Sequence, residues 1–547
     1  MIEQDHTASG ERLRIVFSLL HSGYLRHYAE PIRILAAHGH SVHLALHRGD
    51  AKDRGDDRLL ERLLADCPAV TVGLAPRRHR LDGWGPIAWI VRSFVDILRY
   101  ADPRYSGAKA LRLRATSKVR ERLVGGGIDP VSQRLLLRLV RWTESDRHPV
   151  RLGRALRLLA AVEDSIPASR RTMASITAQR ANVVLASPVV EFASAQVEYI
   201  KSAKRLRIPC AVCVASWDNL TSKGLLRVVP DRVLAWNALQ REELVEMHGV
   251  PRDRVVLTGG QKFDPWFELS ASSTREELAC RVGLDPARAY LLYVCSSSFV
   301  APDEVPAVRR WIAAVRDAGG ELQDLGILVR PHPQNAERWE YADLSEFDNV
   351  AIWPRRGEYP DDGEARADFY DSIFHSAAVV GVNTSAQIEA GIIGRPVFTV
   401  LAPEFAGTQM GTLHFHYLRH ENGGFVREAE NMEEHLAQLR TGIERSGDVD
   451  GIGSFIESFV RPRGLTLPVA PIVASEIEAL GGDRRSEPDD PRARRLLLRA
   501  ALTPLALVVC ALVAVHWVGS VAGTERRRVE RQRGAASSDH SGSLAPS

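Results

Sequence analysis

The stretch Asp371–Pro396, DSIFHSAAVVGVNTSAQIEAGIIGRP, decides the fold. It opens with a helical pattern, passes through a short apolar strand at Ala377–Val382, and turns at Asn383-Thr384-Ser385 into a second helix. Hydroxyls at a helix start sit beside unpaired backbone N–H groups, and that combination attracts a phosphate. Glu389 stands four residues after Ser385, on the same helix face and one turn in. A carboxylate there can accept two ribose hydroxyls. Helix capping alone would explain Thr384 or Ser385, but not the carboxylate as well. The segment reads as a nucleotide-diphosphate site built at the C-terminal end of a parallel strand.

Working outward, the same strand-then-polar-loop rhythm continues. Tyr290–Cys295 leads into Ser296, Ser297 and Ser298, whose hydroxyls and N–H groups suit a diphosphate, although serines also cap helices. Gly326–Val329 leads into Arg330-Pro331-His332-Pro333, an arginine and a histidine aimed by two prolines as anion partners. Val350–Trp353 and Pro396–Leu401 complete this half. A first half is built likewise from Leu13–Leu19, the helix Tyr28–His38, Ser41–Leu46, Ala181–Ala186, Cys210–Ala215, Val233–Trp236 and Val255–Thr258. The expected fold is α/β with two Rossmann-like domains, over 12–262 and 286–460. Cys210 and Cys213 read as buried strand residues rather than metal ligands, and Asp448–Asp450, in a Gly/Ser-rich loop, reads as a turn.

Two regions break the rhythm. Residues 77–171 are helical in pattern and carry 19 Arg against 2 Lys. Two readings stay open for this insertion: helices covering the sheet with a solvated basic face, or a membrane-facing or acceptor-binding element. At the other end, Ala500–Thr524 runs for 25 residues without Asp, Glu, Lys or Arg. That length suits a transmembrane helix, expected over 500–521 after a Pro-containing linker at 461–499 and before a disordered tail at 522–547. Arginines flank the run on both sides, so the positive-inside rule does not choose its orientation. The polar, acidic N-terminus has no signal-peptide pattern, which leaves the body on the cytoplasmic face of the inner (plasma) membrane. With 71 basic and 68 acidic residues, a net charge of +3 gives no reason to expect nucleic acid as a partner.

Taken together, these motifs resemble the GT-B glycosyltransferases and their relatives, the non-hydrolysing UDP-N-acetylglucosamine 2-epimerases and the CDP-glycerol glycerophosphotransferases. The matching residues are Val256–Asp264 (VLTGGQKFD), Arg330–Pro333, Ser385 with Glu389, and Gly394-Arg395-Pro396-Val397. Ser216–Gly224 (SWDNLTSKG) is similar to a loop of bacterial surface-carbohydrate proteins in this group. The resemblance implies a cleft between the halves, with the nucleotide on the second domain and the acceptor on the first. Ser296, Ser297, Ser298, Thr384 and Ser385 would then hold the diphosphate, Arg330 or His332 would neutralise the leaving group, and Glu389 would hold the ribose. The loop Trp353–Glu358 would meet the base. Neither a cofactor nor a metal is required when protein donors stabilise the leaving phosphate.

A transferase needs a base for the acceptor hydroxyl. His21, after the first strand, is the first candidate and Asp218 the second; His27 lies a helical turn from His21. His27, Asn219, Lys223, Glu404 and His414 are candidate contacts to acceptor or sugar. The expected activity is a membrane-anchored, metal-independent glycosyltransferase. It would move a sugar or polyol phosphate from a nucleotide-activated donor to a lipid-linked or polysaccharide acceptor. A UDP-sugar 2-epimerase and a non-catalytic scaffold in polysaccharide assembly are the alternatives.

Overall fold

The computed structural model describes residues 12–47, 57–79, 81–125, 130–144, 149–444, 451–482, 493 and 495–511. Two all-parallel sheets organise it. The first comprises β1 (Arg14–Leu19), β2 (Ser41–Leu46), β3 (Val70–Leu74), β4 (Val183–Ser187), β5 (Cys210–Cys213), β6 (Arg232–Ala235) and β7 (Val255–Leu257) in the order β3-β2-β1-β4-β5-β6-β7. The second comprises β8 (Tyr290–Val294), β9 (Gly326–Arg330), β10 (Val350–Ile352), β11 (Ala378–Val380), β12 (Val397–Val400) and β13 (Val426–Ala429) in the order β10-β9-β8-β11-β12-β13. The central strands β4, β5, β8 and β9 are buried at every residue. Continuous apolar runs of this kind are what a sheet covered on both faces requires. Cys210 and Cys213 lie within β5, both buried, and burial pushes the Cys213 thiol up to about 12.

Strand order reverses between β1 and β4 in one sheet and between β8 and β11 in the other. Ligands of open parallel sheets bind at such switch points. Helix α1 (Leu25–Ala37) follows the loop after β1. The basic insertion folds as α2 (Trp84–Leu98), α3 (Lys109–Gly125), α4 (Pro130–Glu144) and α5 (Pro149–Ser165). Helix α6 (Ala386–Ile393) follows the loop after β11.

The chain crosses between domains twice, and the linker expected over 461–499 needs correction. It contains α7 (Val469–Gly482), which returns to the first domain and packs against its core. Val469, Val473, Ile477 and Leu480 are buried there at helical spacing, beside Leu13, Ile15 and Leu35. Asp264 joins the two crossings. It accepts from the Arg461 guanidinium at 2.7 Å and from the N–H groups of Val469 and Ala470 at 2.7 Å each, capping the start of α7. Gly259, at φ +111°, lies where a Cβ would meet the Val460 carbonyl at 2.7 Å. The two crossing segments therefore touch backbone to backbone.

A helix runs over 495–511 and seats on the insertion. Arg495 pairs with Asp164 at 2.7 Å, Arg499 donates to the Ser165 carbonyl, and Ala506 is buried against Ile87 and Val91. Among the described residues no helix is long and apolar enough to cross a membrane. The span expected over 500–521 falls within them only up to 511. Its remainder, the tail at 522–547 and Asp448–Asp450 lie outside the described residues.

Removing one partner of a buried ion pair leaves the other charge uncompensated. Asp264→Ala also uncaps α7, so it is expected to destabilise the fold by about 3–5 kcal/mol. Urea unfolding checks this; a midpoint unchanged from wild type would show that the crossings are held by other contacts.

Candidate functional site

A cleft of about 1040 Å³ opens between the domains, lined by loops from both switch points. The second domain contributes Ser297, Arg330, His332, Thr384, Ser385, Glu389 and His414. The first contributes His27, Asp218, Asn219 and Lys223. Pro354 and Glu358, from the loop expected to meet the base, also line it. The structure therefore brings eleven of the fifteen expected site residues together. His21, Ser296, Ser298 and Glu404 stand outside.

The end expected to meet the phosphates follows from local packing. A Cβ at Gly381 would fall 2.8 Å from the Val294 carbonyl, so only glycine lets the loops after β8 and β11 approach this closely. Asn383 fixes the turn by donating its side-chain amide to the Thr408 carbonyl at 3.1 Å and Thr412 Oγ1 at 3.2 Å. Thr384 Oγ1 accepts from the Ala386 N–H, whereas the Ser385 side chain makes no capping bond to α6. The start of α6 thus faces the cleft with Ser385 beside it. The three serines after β8 divide. Ser296 is wholly buried, donating its N–H to Glu304 at 2.7 Å and accepting from the Asn383 N–H, so its role is to hold the loops. Ser298 is exposed on the outer surface, and Ser297 alone lines the cleft.

The two expected leaving-group partners need qualification. Arg330 is buried, and its guanidinium is compensated by Asp368 at 2.7 Å and by Ser372 Oγ at 2.6 Å. It is a partly neutralised donor in the wall, not an isolated cation. The His332 ring is pushed down to about 4 by burial and by the nearby Arg26 cation. Its Nδ1 accepts from the Gln334 N–H at 3.1 Å, which leaves the proton on Nε2. At neutral pH it offers a neutral hydrogen-bond donor instead of a positive charge.

Acid–base groups face one another across the cleft. Burial raises Glu389 to about 7, against the pull of Lys262 and Arg366. Burial in turn lowers Lys262, while Glu389 and Asp218 work the other way. Lys262 comes from the crossing segment of the first domain, so this pair joins the halves. Burial opposes the charge on Asp218, but the His414 ring, the Lys223 ammonium and the hydroxyls of Ser216 and Ser222 outweigh it and hold the carboxyl well below its usual range. His414, from the second domain, is pushed down to about 4 by burial and donates or accepts at Thr221 Oγ1 over 3.3 Å. Lys223 pairs with Glu191 at 2.6 Å. Asn219 donates to Asp218 at 3.3 Å, and its buried Oδ1 has no hydrogen-bond partner among the described residues.

The base assignment changes accordingly. His21, its ring 4.8 Å from that of Tyr24, is not among the residues lining the cleft. Neither remaining candidate is strongly basic: Asp218 is held well below its usual range, and burial with the Lys262 and Arg26 cations lowers His27 as well, so position in the cleft rather than basicity separates them. His27 lines the cleft, is held neutral by burial and by the Lys262 and Arg26 cations, and has a buried Nδ1 with no hydrogen-bond partner among the described residues. Glu404 faces outward, paired with Arg310.

Three residues escaped the sequence reading. Lys262 stood inside the quoted VLTGGQKFD motif, where a lysine just after a Gly-Gly break was the available signal. Arg26 pairs with Asp361 across the cleft at 3.0 Å and covers the Tyr359 ring. Arg114 reaches the cleft from α3, stacked 3.8 Å over the Phe299 ring and bonded to the Ser222 carbonyl. Nothing in the sequence separates it from its 18 neighbouring arginines.

Because Glu389 is held protonated, the native state binds more protons than the unfolded chain between the ordinary carboxylate range and about pH 7. The stability this site contributes is therefore full at low pH and falls as pH rises through that window. Glu389→Gln is expected to flatten that part of the stability–pH profile, measured by urea midpoints from pH 4 to 8. An unchanged slope would show that Glu389 titrates normally.

No family model matches the sequence, and no curated protein sequence does. Among solved structures, the chain is similar to a UDP-GlcNAc 2-epimerase from Neisseria meningitidis bound to UDP-GlcNAc, at 10% identity and TM-score 0.46, over 85% of this chain and 99% of that one. A glycosyltransferase from Rickettsia africae matches at 10% identity and TM-score 0.48, over 86% and 99%. The wall teichoic acid polymerase TagF matches at 12% identity and TM-score 0.34, over 56% and 74%. The likeness is one of fold, and the residue roles above rest on the cleft itself.

Proposed function

We propose that the chain is a metal-independent GT-B transferase that moves a sugar, or a polyol phosphate, from a nucleoside-diphosphate donor to an acceptor hydroxyl. The observation that carries this reading is the opposition of two unlike walls in one cleft. The second domain presents a helix start with Ser385 and Ser297, and a protonatable Glu389 one turn in. The first domain presents His27 and Lys262. The nucleotide diphosphate lies against α6, where N–H groups and hydroxyls meet its charge as the leaving group departs. Glu389 accepts from the ribose. Lys262 and the Nε2–H of His332 add donors around the phosphates. His27 takes the proton of the attacking hydroxyl, and Asp218, Asn219 and Lys223 orient the acceptor.

The tail motivates the rest of the proposal. An apolar C-terminal anchor places the cleft at the cytoplasmic face of the inner membrane, beside a lipid-linked or surface-polysaccharide acceptor. Acid–base groups crowded around one sugar-sized space also suit 2-epimerisation, so the assay must separate the two reactions.

A thermal-shift screen against UDP, GDP, CDP and dTDP conjugates is expected to single out one nucleotide, with about 2.7 kcal/mol of stabilisation at a hundredfold excess over Kd. Glu389→Ala should weaken that nucleotide roughly 10- to 100-fold, since the ribose hydroxyls would be buried without their partner. Label moving from donor to a lipid acceptor supports transfer. Deuterium entering C2 of the sugar without transfer would replace it with epimerisation, and a chain that no nucleotide stabilises would remove both.

A further inference from the structure

The insertion carries a surface for which the catalytic cleft has no use. On α4, Leu135, Leu139 and Trp142 are 58%, 43% and 41% exposed, spaced i, i+4, i+7 along one stripe. Arg134, Arg138 and Arg141 follow the same spacing alongside and are also exposed. Opposite them, Leu136 and Val140 are buried against α2 and α3. The helix is thus apolar on both faces, with arginines edging the outer one. It carries no Asp or Glu before Glu144, which turns to Arg120. On α5, Arg154, Arg157 and Leu158 are exposed likewise.

The second observation is independent. The helix over 495–511 is clamped to this same insertion by Arg495–Asp164 and by the burial of Ala506, and it leaves Leu505, Leu507 and Val508 at least half exposed. A Cβ on Gly83 would overlap the Ala506 carbonyl, so the helix sits directly on the backbone before α2. The sequence beyond it, Leu512–Val518, is LVAVHWV.

We infer that the outer face of α4 is a docking surface for an anionic lipid bilayer, with Leu135, Leu139 and Trp142 entering the headgroup–acyl boundary and Arg134, Arg138 and Arg141 meeting lipid phosphates. Aromatic and leucine side chains edged by arginine are the composition such an interfacial helix requires. A second copy fits less well. Self-association through this stripe would bring like charges together, and three apolar side chains are far fewer than the roughly 20–30 residues per side of a stable interface. A bilayer satisfies both parts of the face, and the apolar tail leaves from the insertion that carries it. The inference deepens the membrane side of the proposed function and rests on that reading only for its location, not for its chemistry.

The test uses the full chain in a Cys280→Ser/Cys510→Ser background with a nitroxide at Leu139→Cys. It is mixed with phosphatidylcholine vesicles containing 30% phosphatidylglycerol, or none, and oxygen and nickel-chelate accessibilities are measured. Retained nucleotide-induced stabilisation, or an unchanged unfolding midpoint, verifies that the labelled protein is folded. In the anionic vesicles the label is expected to gain oxygen and lose nickel accessibility, the signature of a boundary position. Arg134→Gln/Arg138→Gln/Arg141→Gln should abolish that change even where the tail keeps the protein vesicle-bound. A label that stays as accessible to nickel as in buffer, on protein that co-sediments with anionic vesicles, overturns the inference while leaving the tail and the transferase reading untouched. A label protected equally without vesicles shows self-association instead, and also overturns it.

Discussion

The Asp264 carboxylate is the constraint on which the two-domain arrangement depends. One oxygen takes the Arg461 guanidinium, and the other takes two N–H groups at the start of α7. Arg461 is in turn stacked 3.7 Å over Phe267 and donates to the Leu465 carbonyl. A carboxylate that accepts from a guanidinium and two backbone amides leaves no uncompensated charge in a buried crossing. It also sets the position of Lys262, two residues earlier, opposite Glu389. Because α7 inserts into the first domain's core beside β1, the second domain is bracketed by two segments pinned at one point. Arg26–Asp361, across the cleft, and Glu243–Tyr417 are further ties between the domains.

The end of the site expected to hold a nucleotide was legible because its logic is local. A strand, a turn of small polar residues and a helix follow one another in sequence, so the residues expected to meet a phosphate are also neighbours along the chain. What the sequence could not resolve was rotation within a turn. Ser296, Ser297 and Ser298 are alike as letters, but consecutive residues leaving a strand point in different directions, and only the middle one reaches the cleft. The acceptor end was less legible, since it is assembled from distant pieces. His414 meets the Asp218 loop through Thr221 and Trp217, and Arg114 arrives from an insertion far from either.

The secondary structure shows the same division. Buried strands announce themselves as apolar runs, and those of both sheets lie where the pattern put them. The edge strands β3 and β13 did not, because an edge is only half covered: Val72 and Leu74 of β3 are 40% and 65% exposed, and β13 reads VREA. Helix α7 was hidden by Pro468 and Pro471, which suggested a linker. A proline in the first turn of a helix costs no hydrogen bond, and the apolar spacing beyond it has meaning only against a core some 450 residues away in sequence.

Arginine content was the least reliable guide, because the insertion uses the residue in two unrelated ways. Arg78 and Arg92 are buried against Glu198, and Arg92 also against Glu163, forming a network shared with Lys201 that rivets α2 and α5 to the sheet domain. Arg99 goes further. It donates to the carbonyls of Leu220, Lys223 and Gly224 at 2.7–2.8 Å and so fixes the backbone of the loop that carries Asp218. The arginines of α4 lie on the outer surface. An insertion whose inner guanidinium groups shape the loop carrying Asp218, and whose outer ones are exposed, connects that loop to whatever the surface meets through a few packed helices. Net charge does not distinguish these populations; burial does, since a guanidinium stays inside a protein only where carbonyls and carboxylates are arranged to receive it.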